Sequence, residues 1–259
     1  MKMLYLVIGL ICFCYSGICV ATDKVANKNA ASNTIALEVD NLLNAHGKVN
    51  WVPMVELIVS YGDQAVPILT NRLVLGNDDG RFQFCLVSAL CKIDTDASLK
   101  PIRGLLQDSS LDQEIITNRM SREHGIFNRY QELETAIREY PKNREMEILP
   151  QLIHYSDFSF SILSFWSCDR LRVMIHRHPA VVGAMIASLD DKRDQFSYNL
   201  GDILNRELGN PFRWPPGSVS DTPQNAAARY NSFWRDWWQQ NKDNYKGETM
   251  TNSALQTIR

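Results

Sequence analysis

The chain has 259 residues, of which 45% are hydrophobic and 22% are charged, and its formal net charge is −2. This composition is typical of a folded soluble protein with a sizeable core, and it differs from that of disordered chains. Acidic and basic residues are nearly balanced, so no basic excess is present to neutralise a row of phosphates. We therefore expect no nucleic-acid partner.

The N-terminal residues 1–21 have the pattern of a secretory signal peptide. Lys2 precedes an apolar run over 4–20, and Cys19 and Ala21 place small side chains at both recognition positions of a signal-peptidase site. The run is short for a membrane span, which needs about 20 residues. We therefore expect cleavage and export, to the periplasm or the medium. The alternatives are lipidation at Cys19 and a retained membrane anchor, and only the anchored form would have a membrane partner.

Cleavage would leave three cysteines, Cys85, Cys91 and Cys168. An odd number in an oxidising compartment leaves at least one thiol unpaired. Cys85 and Cys91 share a predicted helix, where six residues correspond to about 9 Å of rise, which is too far for a disulfide. We expect all three to be small buried apolar residues. A bridge from Cys168 to either of the others is the open alternative.

After the signal peptide, residues 22–34 are aperiodic and polar, which predicts a flexible mature N-terminus. From residue 35 onward, apolar residues recur at helical spacing and polar turns interrupt them, whereas sustained strand-like alternation is absent. Helices are predicted at about 35–46, 51–60, 64–75, 82–93, 97–108, 111–121, 128–140, 144–155, 160–177, 179–189, 193–208 and 223–245. Asp63 is expected to cap the third of these helices, and the cluster 94–96 the fifth.

Short helices joined by short turns, in pairs, predict stacked helical hairpins. Pro67 and Pro101 lie 34 residues apart, and each is followed by Ile. Both are expected near the start of the second helix of a pair, where the missing N–H of proline costs little. Pro150 would be a third instance at a longer spacing.

Two segments around these prolines resemble HEAT repeats, in which a capped second helix carries Ala-x-Pro and a Leu pair. They are Gly-Asp-Gln-Ala-Val-Pro-Ile-Leu over 62–69, and Leu-Lys-Pro-Ile with Leu-Leu-Gln-Asp over 99–108. The resemblance is strongest over 49–108 and weaker over 128–208. It implies an architecture and says little about ligands.

The resemblance implies an all-α fold, with an α-solenoid of about four to five degenerate hairpins over 35–210. A Pro-rich loop and a Trp-rich closing helix would follow over 211–246, and a frayed tail over 247–259. A short Trp-rich helix of this kind is similar to the tail that follows HEAT-like repeats in some exported bacterial proteins.

The C-terminal helix carries Trp234, Trp237 and Trp238, which share one broad face with Tyr230 and Tyr245. These rings are expected to pack on the last hairpin and close the stack, each contributing on the order of 3 kcal/mol. The alternative is an aromatic platform that binds a glycan or a partner protein.

Segment 109–127 does not fit the regular succession of predicted helical hairpins, and it carries Arg119, Arg122, Glu123 and His124. Two interpretations stay open. The segment is either an insertion on the concave face, where solenoids usually bind partners, or a poorly packed connector.

No catalytic residue, metal ligand or cofactor is expected from the remaining polar residues. His176 and His178 are two positions apart, so on a helix they point to different sides. The Asp pairs at 78–79 and 190–191 are typical of solvated turns. The sequence therefore favours an exported, non-enzymatic helical-repeat protein that binds an unidentified protein through its concave surface. The alternatives are an enzyme using 109–127 and cell-wall glycan binding through the Trp-rich helix.

Overall fold

The computed structural model describes residues 30–45, 50–73, 83–108, 124–156, 162–189, 194–213 and 223–245. Within these ranges the chain is helical and has no strand, which confirms the predicted all-α class. The α-helices are α1 (30–44), α2 (Val52–Ser60), α3 (Val66–Arg72), α4 (Phe84–Ile93), α5 (Asp96–Gln107), α6 (His124–Glu139), α7 (Leu149–Tyr155), α8 (Ile162–Arg177), α9 (Ala180–Ala187), α10 (Asp194–Glu207) and α11 (Pro223–Asn241). Short 3₁₀ helices occupy Gly62–Gln64, Lys142–Ile148 and Lys242–Tyr245. The predicted signal peptide, the helix at 111–121 and the C-terminal tail lie outside the described residues.

The first helix begins within the segment that the composition predicts to be flexible. Residues 30–34 are exposed but already helical, and the Thr34 hydroxyl donates a hydrogen bond to the Ala30 carbonyl at 3.0 Å. Alanine is the strongest helix former, so this turn needs no buried face to extend α1 backwards. The apolar periodicity from residue 35 therefore predicts only the part of α1 whose apolar side chains are buried.

The turn between α4 and α5 is capped as the sequence predicts. Asp94 ends α4 in the left-handed conformation, with φ of 53°. The Thr95 N–H donates to the Ser98 hydroxyl at 3.0 Å, and the Ser98 N–H donates to the Thr95 hydroxyl at 3.3 Å. This reciprocal pair satisfies two N–H groups that a helix start leaves without partners, so α5 begins at Asp96.

Two predictions about the hairpin starts are wrong. Pro101 lies in the second turn of α5 and not at its start, because the cap at Thr95 begins the helix earlier. Asp63 does not cap α3, whose N-cap is Ala65. Instead the Asp63 carboxylate lies in a 3₁₀ turn and accepts a hydrogen bond from the Thr95 hydroxyl at 2.6 Å. Pro67 and Pro150 do lie in the first turns of their helices, as predicted.

The chain divides into two compact units, Met1–Leu99 and Lys100–Arg259, with the boundary inside α5. In the first unit, α4 packs against both α2 and α3. The fully buried side chains of this unit include Ile58, Leu69, Leu86 and Leu90. Ion pairs reinforce the packing, with Arg72 of α3 bonded to Asp40 of α1 at 2.8 Å and Lys92 of α4 bonded to Glu56 of α2.

In the second unit, helices two positions apart in the chain pack side by side. Helix α6 packs against α8, α8 against α10, and α9 against α11. Consecutive helices from α7 to α11 also pack against one another, so α8 is surrounded by several neighbours. This arrangement determines which side chains of α8 remain exposed.

Candidate functional site

Helix α8 uses three of its sides for packing. Towards α6, the Leu163 N–H donates to the Tyr130 hydroxyl at 3.2 Å, and Arg170 donates to the main-chain carbonyls of Ile137 and Tyr140. Towards α10, His176 pairs with Glu207 at 2.8 Å. Leu171 and Met174 are completely buried and provide the core contacts of the helix. The fourth side faces solvent.

The solvent-facing side of α8 carries a stripe of Phe165, Asp169 and Val173, each four residues after the last. Phe165 is 59% exposed and Val173 is 43% exposed, and they are two of the five large apolar side chains that the described part of the chain leaves exposed. Asp169 is also exposed, and no Lys, Arg or His in the described part of the chain forms an ion pair with it. An apolar, an acidic and an apolar side chain therefore lie in one row.

One edge of this stripe is held by contacts with α6. Trp166 donates its indole N–H to the Glu134 carboxylate at 3.2 Å, and the Arg138 guanidinium lies 6.0 Å from the centre of the Trp166 ring. Arg138 also pairs with Glu134 at 3.4 Å, and the ring of Phe165 lies 5.3 Å from that of Trp166, edge to face. We call Phe165, Trp166, Asp169, Val173 and Arg138 the α8 face. Aromatic residues and arginine are enriched where proteins bind one another.

A buried carboxylate lies close to the C-terminal end of α8. Glu145 is almost fully buried and is contacted by Arg170 at 3.4 Å, by Arg177 at 3.5 Å and by His178 at 3.4 Å. A buried charge needs such partners because its desolvation is costly. The cluster joins the 3₁₀ helix Lys142–Ile148 to α8, and its carboxylate is already enclosed by chain groups.

A second polar network joins α5 to the same 3₁₀ helix. The Tyr140 hydroxyl donates to Glu147 at 2.8 Å, and Arg103 and Arg144 pair with the same carboxylate. Burial, followed by the Glu147 hydrogen bond, raises the pKa of Tyr140 to about 12. Burial alone would raise the pKa of Glu147, but the hydrogen bonds from Arg144 and Tyr140 outweigh it and lower that pKa. At neutral pH the phenol therefore keeps its proton and the carboxylate stays ionised, which suits a structural role.

The Trp-rich helix α11 is built into the second unit. Trp234 is completely buried, and Tyr230 is nearly so, which leaves no Trp234 surface for a ligand. Tyr230 packs over Gly201 of α10, and Trp238 packs over Gly183 of α9. Trp237 is half-buried against Trp234, with ring centres 5.5 Å apart. These contacts favour the packing role for the Trp-rich helix over the binding platform.

Most of the other residues singled out from sequence lie outside the described part of the chain. Arg119, Arg122 and Glu123 lie outside the described residues, as do the Asp pairs at 78–79 and 190–191, and only the main chain of His124 is described. His176 and His178 bond to carboxylates of different elements and do not converge.

Two of the three cysteines are buried, as predicted, and the third is not. Cys85 and Cys91 are buried in α4, whereas Cys168 is a free thiol that is only partly covered. Burial raises the pKa of Cys168, which keeps it in the protonated, weakly nucleophilic form.

The α8 face was not predicted from sequence. Apolar residues occur on every side of α8, so their periodicity does not single out a buried stripe, and the sequence predicts only a helix over about 160–177. The sequence contains one indication of this face. Phe165 and Trp166 are adjacent and therefore point in different directions from a helix, so a helix that also buries Leu163 and Leu171 cannot bury both of them.

No protein-family model, no curated protein and no solved structure matches this chain. Among the helices that the structure describes, none is both long and apolar enough to cross a bilayer. The described residues also contain no group of three or more His, Cys, Asp or Glu side chains placed to hold a metal ion.

Proposed function

We propose that this protein is an exported, HEAT-like helical-repeat protein that acts as a scaffold by binding another protein. The observation that carries the binding role is the α8 face, where Phe165 stays exposed beside Trp166, Arg138 lies over that ring, and Val173 is exposed two turns further along the helix. Large apolar side chains grouped on a surface are typical of sites that another molecule covers.

The repeat architecture is supported by the spacing of side-chain contacts along the chain. In stacked hairpins, each helix contacts its equivalent in the next hairpin, so contacts recur at one repeat length. Several polar contacts within the two units join residues 31 to 33 positions apart, close to the 34 residues between Pro67 and Pro101, although others, such as Glu56–Lys92 and Arg103–Glu147, span 36 and 44 positions. The contacts near the repeat length include Asp40–Arg72, Asp63–Thr95, Glu134–Trp166, Ile137–Arg170, Glu145–Arg177 and His176–Glu207.

The site geometry favours a macromolecular partner. The α8 face presents exposed side chains on the surface of a helix, whereas small-molecule sites are concave and enclose most of the ligand. Protein interfaces accept such surfaces when the partner supplies a complementary one. A protein partner therefore suits the α8 face better than a small substrate does.

Photo-crosslinking in the native host tests this function. The photoreactive residue p-benzoylphenylalanine would replace Phe165 in one variant and Leu37 in another. Leu37 is the matched control because it is 60% exposed on α1, against 59% for Phe165. We expect one protein to be crosslinked from position 165 and not from position 37. Failure to crosslink from position 165, or equal products from both positions, would contradict the proposal.

Two further measurements test the remaining parts of the proposal. If the enzyme alternative is wrong, replacing Glu123, His124 and His176 by Ala should leave the biological phenotype intact, whereas Phe165→Ala should impair it. If the protein is exported, N-terminal sequencing of the extracytoplasmic form should begin at Thr22. A form that still starts at Met1 would contradict cleavage.

A further inference from the structure

The stripe on α8 is symmetric about Asp169. Phe165 lies four residues before it and Val173 four residues after, so each apolar side chain is about 6 Å along the helix from the carboxylate. The order apolar, acidic, apolar is the same whether a partner runs parallel or antiparallel to α8. The stripe therefore constrains the partner's spacing and charge, and leaves its direction open.

Asp169 is the charge on this stripe that is available to a partner. Among the described residues it has no ion-pair partner. Arg172, three residues further along α8, is only partly exposed, its Nε is buried, and its charge acts on the Cys168 thiol. Other described cations of α6 and α8 are paired. Arg138 pairs with Glu134 and Glu139, and Arg177 pairs with Glu145. A partner that covered Phe165 and Val173 would bring its own side chain over Asp169. A basic residue at that point would be attracted, and an acidic residue would be repelled.

We propose that the α8 face binds an amphipathic helix whose contact stripe carries a Lys or Arg between two apolar residues, each four positions away. This inference rests on the proposed protein-binding function and specifies the chemistry of the partner. Two helices pack at 8–10 Å between their axes, and equal four-residue spacings keep the three pairs of side chains in register. In this complex the partner helix would bury Phe165 and Val173, and Asp169 would favour a positive charge on the partner.

Two synthetic peptides test this partner chemistry. Each would be an alanine-rich helix of about 18 residues, long enough to be helical in isolation. Both carry Leu four positions before and after a central residue, which is Lys in one peptide and Glu in the other. Binding of the dye-labelled peptides to the purified protein would be measured by fluorescence anisotropy. We expect the Lys peptide to bind about two- to fivefold more tightly than the Glu peptide, the range for a partly exposed ion pair.

Charge reversal provides the decisive comparison. Asp169→Lys should reverse the preference, so that the Glu peptide binds more tightly. Asp236→Lys is the matched control, because Asp236 is an exposed carboxylate on α11 and its reversal should leave the preference unchanged. Phe165→Ala should weaken both peptides, whereas Leu37→Ala should weaken neither. Circular dichroism of each variant would establish that it is folded.

Several results would overturn the inference. They are a lack of binding by either peptide, equal binding of both by the unaltered protein, and an unchanged preference in folded Asp169→Lys. Self-association in sedimentation experiments that Phe165→Ala abolishes would mean that a second copy covers the face, which also overturns it. If position 165 still crosslinks one protein in the host, only the proposed partner chemistry fails. If that crosslink is absent as well, the protein-binding function fails.

Discussion

Three helical glycines in the second unit differ in the space around them, and replacing each by alanine tests the packing of α11. A Cβ at Gly201 would lie 2.2 Å from Cε1 of Tyr230, and a Cβ at Gly183 would lie 2.6 Å from Cζ2 of Trp238. A Cβ at Gly104 would meet nothing within 4 Å. The same substitution therefore probes a tight contact, an intermediate contact and open space.

The expected free energies follow from two opposing effects. Alanine in place of glycine stabilises a helix by about 1 kcal/mol, so Gly104→Ala should raise the free energy of unfolding by that amount. At Gly201 the added methyl group would overlap a buried ring that also packs 4.4 Å from Phe212, so the ring cannot swing aside. Overpacking of this kind costs up to about 3 kcal/mol, which leaves Gly201→Ala destabilised by about 2 kcal/mol. Gly183→Ala should be close to neutral, since the half-exposed Trp238 can shift.

Thermal and urea unfolding, followed by circular dichroism, would measure the series. The two extreme variants should differ by about 3 kcal/mol, which corresponds to roughly 6–12 °C in Tm for a domain of this size. The Tyr230→Leu background should reduce the penalty of Gly201→Ala, because it removes the ring atoms that the methyl group meets. If Gly201→Ala were as stable as Gly104→Ala, the close packing of α11 on α10 would be refuted.

Three further predictions follow from local contacts. Ser98→Ala removes half of the reciprocal cap with Thr95 and should lower the free energy of unfolding by about 1 kcal/mol in urea titrations; an unchanged value would argue against the cap. Spectrophotometric titration should show Tyr140 ionising near pH 12, and Glu147→Gln should lower that pKa because the carboxylate raises it. Since the pKa of Tyr140 is raised in the folded state, its contribution to stability is complete below about pH 10 and is lost as the pH rises towards 12; folded-state ionisation near pH 10 would contradict this. Trp234→Ala should lower the free energy of unfolding by about 3–5 kcal/mol, and Trp234→Phe by clearly less, because the buried indole N–H has no acceptor to lose among the described residues; equal losses of the two variants in calorimetry would contradict this.

Local patterns predicted the helices well where one face of each is apolar. Helix α5 is an example: its apolar residues recur every three to four positions, and its cap is formed by Thr95 and Ser98, which are only three positions apart. Interactions of this range are encoded within a few residues, so they can be recognised without tertiary information. The repeat pattern predicted Pro101 near the start of its helix, whereas the cap at Thr95 makes α5 begin at Asp96.

Longer-range packing determined the rest. Asp63 looked like a cap, yet it bonds to Thr95, a residue 32 positions away, because the neighbouring helix brings that hydroxyl within reach. Similarly, the Trp-rich helix contains three indoles of equal hydrophobicity, and only Trp234 is completely enclosed, since it faces the adjacent helices directly.

The sequence alone was enough to predict the all-α class that the described residues show, because helical periodicity is a local property of apolar spacing. The exposed stripe of α8 could be found only from the folded chain. Helix α8 has apolar residues on all sides, and which of them stay in solvent depends on where its neighbours pack. Since Phe165 and Leu163 are equally apolar, only that arrangement leaves one at the surface and places the other in the core.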